Sequence, residues 1–331
     1  MIKLSEKRLA EIKNNFKGKR IAVIGDMMLD IYFRGEVKRI SPEAPVPVVE
    51  VENEFFRFGG AANCALNIAT LGGVPEPIGV IGYDNFGTIF TSLLSENNIP
   101  PGGIFVDETR PTTSKTRIIA DKQHIVRIDR ESKLNLNSNF NEKILNQLNE
   151  IINSLDGIIL QDYNKGVLTE SLITQIIDLA ISENILVTVD PKFHNFFAFK
   201  NVTVFKPNRK EAEDILGIKI KSDDDISKAG NLLLEKLEAK NVLLTLGSEG
   251  IAVFNKNSPE RRMATKAREV ADVSGAGDTV ISTLTMALAA GADIFEASYL
   301  ANYAGGIVCG EVGIVPIESD KLFSTIIQEN K

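Results

Sequence analysis

The sequence predicts an α/β fold with a mostly parallel central sheet and a small β-lid, and three observations carry that prediction. Short, continuously apolar runs recur along the chain, as expected of parallel strands buried on both faces. Amphipathic helical patterns lie between them, the alternation that builds β-α-β units. Two stretches break the alternation, one with prolines and one with period-two patterning, which sets them outside the main sheet.

In chain order, the charged segment ahead of residue 20 reads as a first helix and Arg20–Gly25 (RIAVIG) as the first buried strand. Further strand-like runs are Ile78–Ile81, Gly157–Leu160, Ile185–Val189, Val202–Phe205 and Val242–Leu246. Helical patterns cover Ala61–Leu71, Asn141–Leu155 and Ser171–Ser182. Arg39–Val51 carries three prolines and cannot be a central strand, while Thr112–Asp129 alternates around a polar centre, as an exposed hairpin does. Together they form the lid, with approximate limits 32–58 and 111–130.

Hydrophobic residues make up 44% of the 331 and charged residues 24%, the composition of an ordinary globular protein. No internal repeat or long linker divides the chain, so one domain over 1–331 is expected. A formal net charge of −7 argues against a nucleic-acid-binding face, which needs clustered Lys and Arg, so an anionic ligand must be met locally. No apolar run approaches the roughly 18 residues that span a bilayer, and the amino terminus is charged rather than signal-like, which predicts a cytoplasmic protein. Cys64 and Cys309 sit in apolar helical patterns without metal-ligand spacing and are expected as buried free thiols.

The strongest local signal is Asp272-Val-Ser-Gly-Ala-Gly-Asp278, between a strand-like run (Ala267–Val273) and a helical pattern (Thr279–Ala290). Gly275 and Gly277 permit a tight turn, so that backbone N–H groups at a helix start converge on one anion. An aspartate beside such a nest adds negative charge where a phosphate would sit. It makes chemical sense as a base that takes the proton of an attacking hydroxyl while the nest holds the moving phosphoryl group. A glycine turn whose Asp278 merely complements the helix dipole would show the same letters.

A second helix opens at Lys206-Pro-Asn208-Arg-Lys-Glu211. Asn208 and Glu211 form a capping-box pattern, and equally a pair able to order water around Mg²⁺ on nucleotide phosphates. Thr245-Leu-Gly247 lies at a carboxyl end of the sheet, where ligands of open α/β sheets bind. Asp26 and Asp30 follow the first strand, and Phe58-Gly59-Gly60-Ala-Ala-Asn63 opens a helix with paired glycines; one of the carboxylates together with Asn63 suits sugar hydroxyls. Arg117, Lys122, His124 and Arg127 lie on the lid, where charge protects an exposed sheet edge. Lys165 and Lys192 sit instead at strand ends, where either could meet a substrate phosphate as a point charge.

Gly25-Asp26 with Asp30, Gly59-Gly60 with Asn63, Asn208 with Glu211, Thr245 with Gly247, and Asp272 to Asp278, in that order, resemble the ribokinase-like, or PfkB-type, carbohydrate kinases over almost the whole chain. More narrowly, RISPEAPVPV from Arg39, Gly59–Asn63 (GGAAN), Asp162–Gly166 (DYNKG) and Asp190-Pro-Lys192 are similar to the D-glycero-β-D-manno-heptose-7-phosphate kinases of lipopolysaccharide-core precursor synthesis.

The resemblance implies a three-layer α/β/α sandwich with a β-lid, ATP and Mg²⁺, phosphorylation of the anomeric hydroxyl to a 1,7-bisphosphate, and a homodimer formed through the lid. Whether a monovalent cation assists is left open. Carried over by position, Asp278 is the base, Gly275, Ala276 and Gly277 the anion hole, and Asp30, Gly59, Gly60 and Asn63 contact the sugar. Lys165, Lys192 and Arg127 are candidates for its phosphate. Asn208 and Glu211 order Mg²⁺ and phosphates, Glu211 through water, and Thr245, Gly247 and Asn302 border the nucleotide.

Two departures from the family stand out. Ser274 replaces the Thr of many heptose kinases, a conservative change. Many relatives continue into a nucleotidyltransferase domain with an HxGH-type signature, whereas this chain ends shortly after Ile317–Asp320, which predicts the bisphosphate rather than the nucleotide sugar as product. Rival readings are a kinase for ribose, fructose, a fructose phosphate or a keto-deoxy sugar acid, and a catalytically silent sensor on the same fold. A dinucleotide-dependent oxidoreductase is disfavoured, because Gly25-Asp-Met-Met-Leu-Asp30 is not the G-x-G-x-x-G loop it would need.

Overall fold

The computed structural model describes residues 4–120, 123–267 and 271–330. Lys122 and the centre of the strand-like run at 267–273 lie outside the described residues. In chain order the elements are α1 (Glu6–Phe16), β1 (Arg20–Gly25), β2 (Met27–Ile40), β3 (Pro47–Gly60), α2 (Ala61–Thr70), β4 (Val74–Gly82), α3 (Asn85–Glu96), β5 (Gly103–Asp107), β6 (Ser114–Ala120) and β7 (Gln123–Arg130). There follow α4 (Ser138–Ile151), β8 (Gly157–Gln161), α5 (Glu170–Ser182), β9 (Leu186–Asp190), β10 (Val204–Phe205), α6 (Arg209–Leu216), α7 (Asp223–Leu237), β11 (Asn241–Thr245), β12 (Ile251–Asn255), β13 (Ser258–Met263), α8 (Ala276–Ala289), α9 (Ile294–Cys309) and α10 (Ser319–Asn330).

Nine strands form the main sheet in the order β13-β12-β11-β10-β9-β8-β1-β4-β5. It is parallel from β5 to β11 and ends in an antiparallel hairpin, β12–β13, which the alternation of runs did not predict as such. Because β1 is buried on both sides, its apolar residues divide between two cores. Ile21 and Val23 pack with α1, α2, α8, α9 and α10, while Ala22 and Ile24 pack with α4, α5 and α7. Helix, sheet and helix therefore make three layers, as expected.

A second, four-stranded sheet in the order β3-β2-β6-β7 forms the lid. The chain passes into it directly: β1 ends at Gly25 and β2 begins at Met27. The prolines fall where proline is tolerated, in the turn after Ile40 and at the first residue of edge strand β3. β6 and β7 are the expected hairpin, and every residue of β7 is exposed. Both cysteines are free thiols; Cys64 is buried as expected, but Cys309, at the last residue of α9, is only half-buried. Among the described residues no helix is long and apolar enough to cross a membrane.

Candidate active site

Parallel strands expose their carboxyl ends together, and here those ends carry Asp26 after β1, Gln161 to Tyr163 from the last residue of β8, Asp190 to Lys192 from the last residue of β9, Lys206 to Asn208 after β10 and Thr245 on β11. Between β1 and β8 the strand order switches direction, the place where open α/β sheets form a ligand crevice. Helix α8 brings its amino end to the same place.

Asp278 lies in the first turn of α8 and is 2% exposed. Its Oδ2 accepts from Asn63 Nδ2 at 2.8 Å; its Oδ1 accepts from Gln161 Nε2 and from the Tyr163 hydroxyl, each at 2.9 Å. Three donors converge on it, the surroundings of an ionised carboxylate, which can only accept. Burial pushes its carboxyl up to about 6, against the Asn63 bond and with help from nearby Asp190. The group is thus ionised at neutral pH yet a better proton acceptor than an ordinary aspartate.

Immediately before it, Gly275 caps α8 with φ +77°, a left-handed conformation that suits glycine. A Cβ there would also come within 2.9 Å of Asn63 Nδ2. Asp272 holds the loop from outside, accepting from the Ser274 N–H at 2.9 Å and the Gly313 N–H at 3.2 Å. The Ala276 N–H is turned to the Val273 carbonyl at 3.3 Å, whereas those of Gly277 and Asp278 make no hydrogen bond among the described residues. A Cβ on Gly277 would face Asp190 Oδ2 at 3.5 Å and Lys206 Nζ at 3.7 Å, so that buried ion pair, 2.9 Å long, stands beside the nest.

Toward the lid, Asp30 on β2 is 2% exposed and ion-paired with Arg117 of β6. Burial raises its carboxyl pKa and the guanidinium opposes that rise. Gly59 passes so close that a Cβ would run into Asp30 Oδ2, and Gly60 has φ +57°. Asp26 is committed elsewhere. Its Oδ2 accepts from the Tyr163 N–H at 2.7 Å and the Lys165 N–H at 3.1 Å, its Oδ1 from the Val167 N–H at 3.3 Å, so it pins the loop after β8. Asp26 is thus taken up by backbone N–H groups, whereas Asp30, the aspartate expected at the sugar, faces Arg117.

The three basic residues expected at a substrate phosphate all have carboxylate partners. Lys165 pairs with Glu131 at 2.7 Å, Lys192 with Glu211, and Arg127 with Asp129 at 2.9 Å on the exposed strand β7. Asn208 and Glu211 make the full capping box of α6: the Asn208 N–H donates to Glu211 Oε2 at 2.8 Å and the Glu211 N–H to Asn208 Oδ1 at 2.9 Å. Asn208 also bridges to Thr245. Gly247 follows with φ +63°, Gly250 packs against the backbone of 263–265, and Asn302 Nδ2 donates to the Ala264 carbonyl at 2.7 Å. Thr245 and Gly247 thus lie at the carboxyl end of β11, and the 263–265 segment connects that end to Asn302. Among the described residues no group of three or more His, Cys, Asp or Glu could hold a metal ion.

Gln161, Tyr163, Asp190 and Lys206 complete the site, although no role was read for them in the sequence. The available signal was their position, each just past or at the end of a parallel strand.

The sequence pattern of the pfkB family carbohydrate kinases matches residues 19–320. The bifunctional protein HldE of Helicobacter hepaticus is 42% identical over 297 residues, 90% of this chain and 61% of that protein. Its counterpart in Pelobacter propionicus is 36% identical over 323 residues, 98% of this chain and 66% of that protein. The chain thus spans less than two thirds of the length of these curated relatives. In shape it is similar to phosphofructokinase-2 from Escherichia coli in complex with potassium (TM-score 0.75, 22% identity, 94% of this chain and 99% of that one) and to Arabidopsis thaliana ribokinase complexed with ribose and ATP (TM-score 0.73, 18% identity, 94% and 99%). Those likenesses give the ribokinase-like fold. The chain belongs to the pfkB family of carbohydrate kinases, and its reaction is phosphoryl transfer to a sugar hydroxyl.

Proposed function

We propose that this kinase transfers the γ-phosphoryl group of ATP to the anomeric hydroxyl of D-glycero-β-D-manno-heptose 7-phosphate. The observation that carries the chemistry is Asp278, a buried carboxylate oriented by three donors at the head of a helix where two N–H groups make no hydrogen bond among the described residues. As the sugar oxygen attacks phosphorus, its proton passes to Asp278, whose burial favours the neutral product. The Gly277 and Asp278 N–H groups then face the charge on the transferred phosphoryl, with Lys206 beside them. Asp30 and Asn63, with room made by Gly59 and Gly60, suit the sugar hydroxyls; Thr245, Gly247 and Asn302 suit the nucleotide.

Glu211 already serves the α6 cap and Lys192, so its carboxylate suits Mg²⁺ through a water rather than directly. When bound, Mg²⁺ neutralises phosphate charge. Likeness to the HldE proteins across this segment supports a sugar kinase of the heptose pathway. The lid displays Ile40, Val51, Ile125, Val126 and Ile128, apolar surface that supports a homodimer formed through this sheet.

The test is ATP- and Mg²⁺-dependent ADP release with heptose 7-phosphate alongside ribose, fructose, fructose 6-phosphate and a keto-deoxy gluconate. Turnover confined to the heptose phosphate is expected. Preference for another sugar would discard the substrate and keep the mechanism; silence with all would favour the sensor.

A further inference from the structure

Lys165, Lys192 and Arg127 are each neutralised by a carboxylate, so a substrate phosphate would have to break an ion pair to reach any of them. Lys115 differs. It lies on β6, in register with Asp30 on β2 and Asp129 on β7, and side chains paired in register share a face of the sheet. Lys115 therefore shares the face of the lid that carries the buried sugar candidate Asp30.

The Lys115 ammonium makes no hydrogen bond or ion pair among the described residues, although its residue is half-buried. Asp30 and Asp129 attract it through space while Lys165 and Arg117 repel it, and burial draws its pKa below the ordinary lysine value. A partly desolvated charge without a counter-ion is costly, and an arriving anion relieves that cost.

Its position relative to the base is fixed by one ring. The ammonium sits 5.0 Å from the centroid of Tyr163, whose hydroxyl donates to Asp278. Lys192 also lies against this ring, at 5.2 Å, but is tied to Glu211 of the α6 cap. Two lysines thus flank Tyr163, one paired at the nucleotide side and one unpaired at the lid. A sugar with its attacking hydroxyl at Asp278 and its body along the lid would bring its far end to the unpaired one.

We propose that Lys115 reads the phosphate carried by the sugar substrate, a monoester dianion, and so sets the preference for a phosphorylated sugar. This rests on the sugar-phosphate reading above. The experiment compares wild type, Lys115→Met and Lys165→Met on heptose 7-phosphate and on the same heptose without its phosphate. In Lys115→Met the ratio of kcat/KM for the phosphorylated over the unphosphorylated sugar should fall about 10- to 100-fold, the worth of a charged hydrogen bond, chiefly through KM. Lys115→Arg should keep most of the preference, and Lys115→Gln gives the same readout should the methionine variant fail to fold.

Equal losses on both sugars would mean that Lys115 acts through Tyr163 and Asp278 instead, and would overturn the proposal. So would a preference that survives in Lys115→Met and collapses in Lys165→Met. A wild-type enzyme that does not distinguish the two sugars would overturn the substrate reading and this proposal together; an intact wild-type preference retained by Lys115→Met would overturn this proposal alone.

Discussion

Asp278 has the environment of a base because its neighbours leave it few alternatives. Asn63, Gln161 and Tyr163 all donate to it, and burial raises its pKa to about 6. Asp278→Asn keeps the shape and removes the proton acceptor, so kcat should fall by about 10²- to 10⁴-fold with little change in ATP affinity. Steady-state kinetics on both proteins checks this, and an unchanged kcat would remove Asp278 from the mechanism. In the wild type, kcat/KM should decline below about pH 6 as the carboxylate takes up its proton. At Gly275, alanine would meet both a left-handed φ and the Asn63 amide. A stability loss of about 1 kcal/mol or more, with a lower kcat as Asn63 shifts, is expected from thermal melts and kinetics of Gly275→Ala.

Among the elements, the loop after β8 has the most to lose from one substitution. Asp26 takes three of its backbone N–H groups, those of Tyr163, Lys165 and Val167. Asp26→Ala would leave buried donors unsatisfied, at about 1–3 kcal/mol each, and free the loop that places the Tyr163 hydroxyl on Asp278. Urea unfolding should register a loss of several kcal/mol by that reckoning, and kcat should fall although Asp26 touches no reacting atom. A variant with normal stability and slow turnover would instead return Asp26 to the substrate. At this scale β1 and α2 were readable from apolar runs and spacing. Edge strand β5 was not, because a run of five residues, only its first and last buried, close to Pro100 and Pro101 resembles a loop. The antiparallel β12–β13 hairpin escaped because pairing direction leaves no mark on a short apolar run.

Across the whole molecule, buried carboxyl groups give stability an unusual pH dependence. Asp162 is pushed up to about 7 by burial and by neighbouring Asp26, against the backbone N–H groups of Asn164 and Lys192 that hold it down. The unfolded chain releases this proton near the ordinary 3.8. Between about pH 4 and 7 the folded state therefore holds the extra proton, so stability falls as pH rises through that window and the cost is complete above it. Asp278 contributes with the same sign up to about 6. Asp162→Asn should shrink the difference in unfolding free energy between pH 5 and 8 by on the order of 2 kcal/mol; equal differences in mutant and wild type, measured by urea titration, would mean Asp162 is ionised throughout. The assembly has its own check. Light scattering should find a dimer for the wild type and a monomer for a double variant, Val126→Glu with Ile128→Glu, if the exposed lid is the interface.

By itself the sequence determined the α/β class, the buried parallel strands and the Gly-Ala-Gly-Asp segment, because each is written in neighbouring residues: unbroken apolar runs, period-two alternation, glycines at a helix start. Only the tertiary structure decided what surrounds Asp278, since Asn63, Gln161 and Tyr163 lie 215, 117 and 115 residues away in the chain. It also divided residues that look alike as letters. Asp26 and Asp30 are four apart, yet one accepts backbone N–H groups and the other pairs with Arg117. Lys165 and Lys192, candidates for a substrate phosphate from their strand-end positions, are paired with carboxylates, while Lys115, to which the sequence reading assigned no role, has no ion pair among the described residues. Charge pairing depends on a few ångströms between distant segments, and those distances exist only once the two sheets have packed.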